Sequence, residues 1–162
     1  MLFGSSPLYM LRLAMIYRTK GAKETKDLAK KILNKIDRPN PKKGLVVALE
    51  GELGAGKTTF VQGLARAFKI RTKLKSPTFS LIKHYEIPQS KNFKILYHID
   101  CYRLKDHRDL AVLGVKDILA SPENIILIEW SDRIRPILPK KLIKIHIDHI
   151  SQNERKLSIN FY

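Results

Sequence analysis

The chain has one cysteine, Cys101, and one tryptophan, Trp130, in 162 residues. A lone thiol excludes an internal disulfide and any zinc site built from several cysteines. It suits a reducing cytoplasm, which is the expected location. No apolar run approaches the ~20 residues that a membrane-spanning helix needs, so no membrane association is expected. The only candidate for a targeting segment, MLFGSSPLYMLRLAMIYR, has no basic n-region, is interrupted by Arg12 and precedes no A-x-A cleavage signal. Residues 1–14 are therefore expected to form a loosely ordered extension, with Met10 and Met15 as alternative starts. Internal repeats and low-complexity tracts are missing as well. Acidic residues are scarce, 15 against 31 Lys and Arg, for a formal net charge of +16.

The basic excess is dispersed. Residues 1–43 hold eleven Lys or Arg against Glu24, Asp27 and Asp37; further groups sit at Arg71, Lys73 and Lys75, and between Arg133 and Lys144. Such charge favours polyanions through counterion release. No RNA-binding motif accompanies it, and a Lys- and Ile-rich composition on solvated faces would give the same total. An apolar content of 44% supports one real core and leaves little room for a second domain.

Residues 24–36 read as an amphipathic helix, with Leu28, Ile32 and Ile36 on one face beside Ala29 and Leu33. DRPNPKKG ends it. LVVAL (45–49) and IILI (125–128) are continuous apolar runs, as in strands covered on both faces. A second helix is expected over 57–68, burying Phe60, Val61, Leu64, Ala65 and Phe68. TFSLIKHYEI (78–87) and FKILYHID (93–100) suggest an antiparallel hairpin, 105–113 a short helix stopped by Gly114, and 141–147 and 156–162 two last paired strands. The fold class expected is α/β: a P-loop NTPase-like sheet of mixed parallel and antiparallel strands flanked by helices, in one domain over 15–162.

GELGAGKTT, residues 51–59, carries the chemistry. Gly51, Gly56, Lys57 and Thr58 match G-x-x-x-x-G-K-[ST] in full, with a strand before and a helix after. Glycines let successive backbone N–H groups face phosphates, and the helix adds its positive N-terminus. Gly51, Glu52, Leu53, Gly54, Ala55, Gly56, Lys57, Thr58 and Thr59 are thus the expected ATP-binding loop. Lys57 would reach the β- and γ-phosphates, and the Thr58 hydroxyl would complete a Mg²⁺ shell. Two apolar strands end in carboxylates, ILYHID at Asp100 and IILIE at Glu129. That places both at the C-terminal sheet edge, where α/β ligands bind. One carboxylate would hold Mg²⁺ and the other orient the attacking water, the assignment being open. In KSPTFS, Ser76 and Thr78, set by Pro77, would sense a γ-phosphate; an ordinary turn is the plainer reading. Trp130 is either a core anchor or a stacking surface beside the site.

Taken together, GELGAGKTTFVQGLA, SPTFSLIKHY, YHIDCYRL, IEW and LP resemble the TsaE (YjeE) family of bacterial P-loop ATPases, from about Thr19 to Arg155. The family works with TsaB, TsaD and TsaC-type proteins to place threonylcarbamoyl on N6 of adenosine 37 in tRNA. The resemblance implies an ATP-hydrolysing component that supports turnover of a TsaB-like and TsaD-like pair, touching tRNA indirectly or by accessory contact. It gives Lys57 and Thr58 to phosphates and Mg²⁺, and makes Glu129 the metal-associated glutamate of IEW. Asp100 becomes the second switch and Ser76 to Thr78 the first, while Thr19 and Arg155 fall where the family contacts nucleotide. Departures are mild: Glu52 replaces the usual Asp, Cys101 stands where Leu is common and Ser131 where Pro is frequent. The residues alone also admit a small-molecule P-loop kinase, though no Arg-rich lid or acceptor site is evident, and a nucleotide-gated RNA-binding module.

Overall fold

The computed structural model describes residues 14–36, 42–77 and 79–162; the expectations for residues 1–13, for the helix-ending stretch 37–41 and for Thr78 lie outside them. Seven strands form one sheet in the order β1-β7-β6-β2-β5-β4-β3. At its centre lie β2 (Leu45–Glu50) and β5 (Asn124–Glu129), parallel neighbours whose apolar runs predicted them. β4 (Ile95–Asp100) and β6 (Ile143–His149) extend the parallel part on either side. The additions are antiparallel: β3 (Ile82–Glu86) on β4, and β7 (Glu154–Phe161) on β6. The mixed α/β sheet is the fold class the sequence predicts.

The period of two along the strands divides the core. Val47, Leu49, Ile125 and Leu127 face helices α1 (Gly21–Ile36) and α2 (Lys57–Ala67), together with the predicted apolar faces of those helices. Val46, Ile126 and Ile128 point the other way, toward α3 (Arg108–Ala111), α4 (Val115–Ala120) and a 3₁₀ helix over Ser131–Ile137. Where α1 crosses α2, a Cβ on Gly63 would lie 2.7 Å from the Lys26 Cα and 2.8 Å from the Ala29 Cβ. Glycine costs helix propensity there but permits the close approach.

Three elements differ from the sequence reading. β1 (Met15–Lys20) joins the sheet edge antiparallel to β7, from a stretch with no strand signature. Its burial shows why: Thr19 is its one buried residue, as in an edge strand with most side chains in solvent. The hairpin strands are shorter than expected, because residues 79–81 turn before β3, with Leu81 at a φ of 61°. The helix expected over 105–113 contracts to α3, and α4 follows Gly114. Among the described residues no helix is long and apolar enough to cross a membrane.

Candidate functional site: a P-loop cleft at the sheet edge

The P-loop joins the buried end of β2 to the start of α2. Gly51 must be glycine: its φ is 139°, and a Cβ would fall 2.4 Å from the Ile147 carbonyl oxygen on β6. Gly56, at a φ of 108°, caps α2 and adds no side chain at the head of the helix. Lys57 is only 4% exposed. Its ammonium donates to the carbonyl oxygens of Gly51 (2.6 Å) and Glu52 (2.9 Å) and lies 4.0 Å from the Trp130 ring centroid. Burial lowers its pKa from the usual lysine value, and Glu129, Asp100, Glu52 and Asp132 oppose that shift in descending order.

The two acidic strand ends meet. Asp100 and Glu129 are register partners at the C-terminal ends of β4 and β5, and both are buried. The Thr58 hydroxyl lies 2.9 Å from each carboxylate oxygen of Glu129. Asp100 accepts a hydrogen bond from the Ser76 hydroxyl on one oxygen and from the Tyr102 N–H (2.9 Å) on the other. A cleft of about 370 Å³ opens over this group, lined by Leu53, Gly54, Gly56, Lys57, Thr58, Thr59, Ser76, Asp100, Tyr102, Glu129 and Trp130. A larger open groove, about 1190 Å³, contains none of these residues, so size alone does not locate the chemistry.

Thr19 and Arg155 lie behind the loop, outside the residues lining the cleft. They are register partners on β1 and β7. The Thr19 hydroxyl pairs with that of Thr25 at 2.9 Å, while the Arg155 Nε donates to the Ala55 carbonyl at 3.0 Å. Arg155 thus braces the P-loop backbone. Pro77 is buried next to Ser76.

Sequence reasoning assigned no site role to His98, Tyr102, Arg133 or Cys101. His98 is fully buried, with its Nε2 2.8 Å from a Glu129 oxygen. Its Nδ1 has no hydrogen-bond partner among the described residues. The ring therefore fixes Glu129 from behind by donating Nε2–H. The signal was available, because the strand period puts His98 on the same face as Asp100. Tyr102 packs on Trp130 at 5.1 Å between ring centroids, and the Arg133 guanidinium lies 5.6 Å from the Trp130 ring. Trp130 itself holds a φ of 58°, unusual for a bulky residue and the kind of backbone strain that collects at functional sites. Cys101 is buried beside Asp100, and burial pushes its thiol pKa up to about 12, which makes it a packing group rather than a nucleophile.

Thr58, Asp100 and Glu129 form a hard oxygen donor set, the kind that suits Mg²⁺. Among the described residues no three His, Cys, Asp or Glu side chains converge on one point, so a divalent cation here would complete its shell on phosphate and water oxygens. The loop's backbone N–H groups and the Lys57 ammonium are the kinds of donor that phosphate oxygens accept from.

Comparisons with known proteins agree with the motifs. The family model described as "Threonylcarbamoyl adenosine biosynthesis protein TsaE" matches residues 19–157. The tRNA threonylcarbamoyladenosine biosynthesis protein TsaE of Haemophilus influenzae is 39% identical over 66% of this chain, an alignment spanning 65% of that protein's length. The Bacillus subtilis protein of the same name is 35% identical over 88% of this chain and 82% of its own. The crystal structure of Bacillus subtilis YdiB superposes with a TM-score of 0.70 at 32% identity, over 91% of this chain and 85% of that one. By sequence and by fold, the chain belongs to the TsaE family.

Proposed function

We propose that the chain binds ATP with Mg²⁺ in the P-loop cleft and hydrolyses it as a component of the machinery that forms threonylcarbamoyladenosine in tRNA, supporting turnover of TsaB-like and TsaD-like partners. The observation that carries this reading is the convergence of Thr58, Glu129 and Asp100 beside the buried Lys57. Mg²⁺, when bound, supplies neutralisation of charge on the β- and γ-phosphates. Lys57 exchanges the carbonyls of its own loop for phosphate oxygens. Thr58 and Glu129, already in contact, hold the metal side of the site, and His98 fixes the carboxylate. Asp100 orients the attacking water in this reading, supported by its hydrogen bonds from Ser76 and the Tyr102 N–H. Trp130 and Tyr102 wall the cleft.

ATP turnover measured with and without a TsaB–TsaD pair, for wild type and Glu129→Ala, tests the reading. Stimulation of the wild type and its loss in the variant are expected. No stimulation, or full tRNA modification by Lys57→Ala in a reconstituted system, would overturn it.

A further inference from the structure

The larger groove lies at the other end of α2. Eleven residues at 1.5 Å per residue set it about 16 Å from the head of that helix. Five cations line it: Lys26 from α1, Arg66 from the end of α2, and Lys69, Arg71 and Lys73 from the segment that follows. Glu86 is the one carboxylate in the lining. Elsewhere the scarce acids are spent on neighbouring cations, as in Arg18–Glu154, Lys94–Glu123, Lys144–Glu50 and Lys156–Asp148. Among the described residues, none of the five groove cations lies within ion-pair distance of a carboxylate. Among the described residues most other Lys and Arg also lack an ion pair, as a net charge of +16 requires; the groove differs in gathering five of them around one trough.

The cations are also held in place. Ile70 and Leu74 are buried in the core between and beside them. The Gln62 side-chain amide donates to the Leu74 carbonyl at 2.9 Å, and the Ile70 N–H to the Ala65 carbonyl at 3.1 Å. Lys69 sits in the left-handed region, with a φ of 62°, to make that turn. The far wall comes from the edge strand β3, where half-buried Tyr85 packs toward the α1–α2 core, while the exposed His84 ring turns to the other face, 5.9 Å from Tyr97 between centroids. Burial raises the Tyr85 pKa, so its hydroxyl stays a neutral donor.

From this geometry we infer that the groove is a binding surface for the phosphate backbone of tRNA, separate from the nucleotide cleft. The inference rests on the reading of the chain as part of tRNA modification. An open trough lined by five cations, with the Tyr85 ring on one wall, fits an extended polyanion better than it fits a compact anion. An acidic protein face is the competing occupant.

Binding of an unmodified tRNA transcript to the full chain, read by fluorescence anisotropy across a KCl series, tests the inference. Arg66→Glu, Arg71→Glu and Lys73→Glu together should weaken binding at least ~10-fold and reduce the slope of log K against log[salt] by about 2–3. A charge-matched control, Lys105→Glu, Lys116→Glu and Lys140→Glu, alters exposed lysines beside the second core cluster and should stay within a few-fold of wild type. Thermal melting checks the fold of both, and the triple alanine variant replaces the glutamate one if that melts early. Equal losses in both sets, or none in either, would overturn the inference, as would polyglutamate competing as well as RNA of equal charge. ATP binding by the wild type, followed through Trp130 fluorescence, separates the two readings. Nucleotide binding without tRNA binding defeats the groove alone; groove-dependent tRNA binding without nucleotide binding defeats the ATPase reading alone.

Discussion

The two ends of α2 use positive charge in opposite ways. At its head a single ammonium, Lys57, is buried, held by two carbonyls of its own loop and faced by Glu129 and Asp100. At its tail Arg66, Lys69, Arg71 and Lys73 stand in solvent without a carboxylate partner among the described residues. A buried charge is costly unless paired, so each of its contacts is specific and its removal is felt sharply. Exposed charges act collectively, are screened by salt and lose little individually. One helix therefore presents a site that recognises a particular geometry and a surface that recognises a charge density.

Lys57→Ala should show the larger effect. It removes charge-assisted hydrogen bonds worth about 1.5–3 kcal/mol each, so ATP affinity should fall by roughly 10²-fold or more. Titration with ATP and Mg²⁺ by calorimetry reads this directly. A loss of only a few-fold would erase the contrast between the two ends. Next in size is Glu129→Gln, which keeps the shape of the side chain but removes its charge from the Thr58 contact. Turnover should drop by about 10²-fold, the scale of a preorganised catalytic group, with the melting temperature nearly unchanged. His98→Gln, acting through Glu129, should lower kcat about 10-fold and leave KM near wild type. An equal rise in KM would mean that His98 serves binding instead.

What the sequence made legible follows from how local each feature is. The P-loop, its strand and its helix are contiguous, so one motif with its flanks placed them. Asp100 and Glu129 were found because each ends an apolar strand, and parallel pairing then set them side by side. His98 was equally local but carries no spacing rule of its own. β1 was invisible because its partner β7 is more than a hundred residues away and its alternation is one of burial, not of residue type: apolar Ile16 is exposed and polar Thr19 buried. The brace from Arg155 to Ala55 spans a similar separation; only the family resemblance drew attention to Arg155. The sequence reading noted Arg71 and Lys73, yet the groove needs Lys26 and Arg66 from two different helices, which only packing brings together.

Gly63 lies between the two ends and tests whether α2 is held as one rigid element. Alanine would raise intrinsic helix propensity by about 1 kcal/mol. Its Cβ, however, would enter the backbone and Ala29 side chain of α1 at under 3 Å, and overpacking typically costs about 1–3 kcal/mol. The variant should therefore be destabilised by a net ~1–2 kcal/mol in urea unfolding. A stabilised Gly63→Ala protein would show that the helices can separate, and with them the fixed relation of head and tail.

The smallest effect separates the two ends by pH. Lys57 starts from a pKa lowered by burial, and bound phosphate would raise it again. Its contribution to binding is thus complete below the free-state pKa and is lost as pH rises through the bound-state value. Between the two values, binding takes up a fraction of a proton, measurable by calorimetry in buffers of different ionisation enthalpy. tRNA binding through the groove is the comparison in the same buffers. Uptake with ATP ties the depressed lysine to the nucleotide; its absence would mean that burial does not set Lys57 apart.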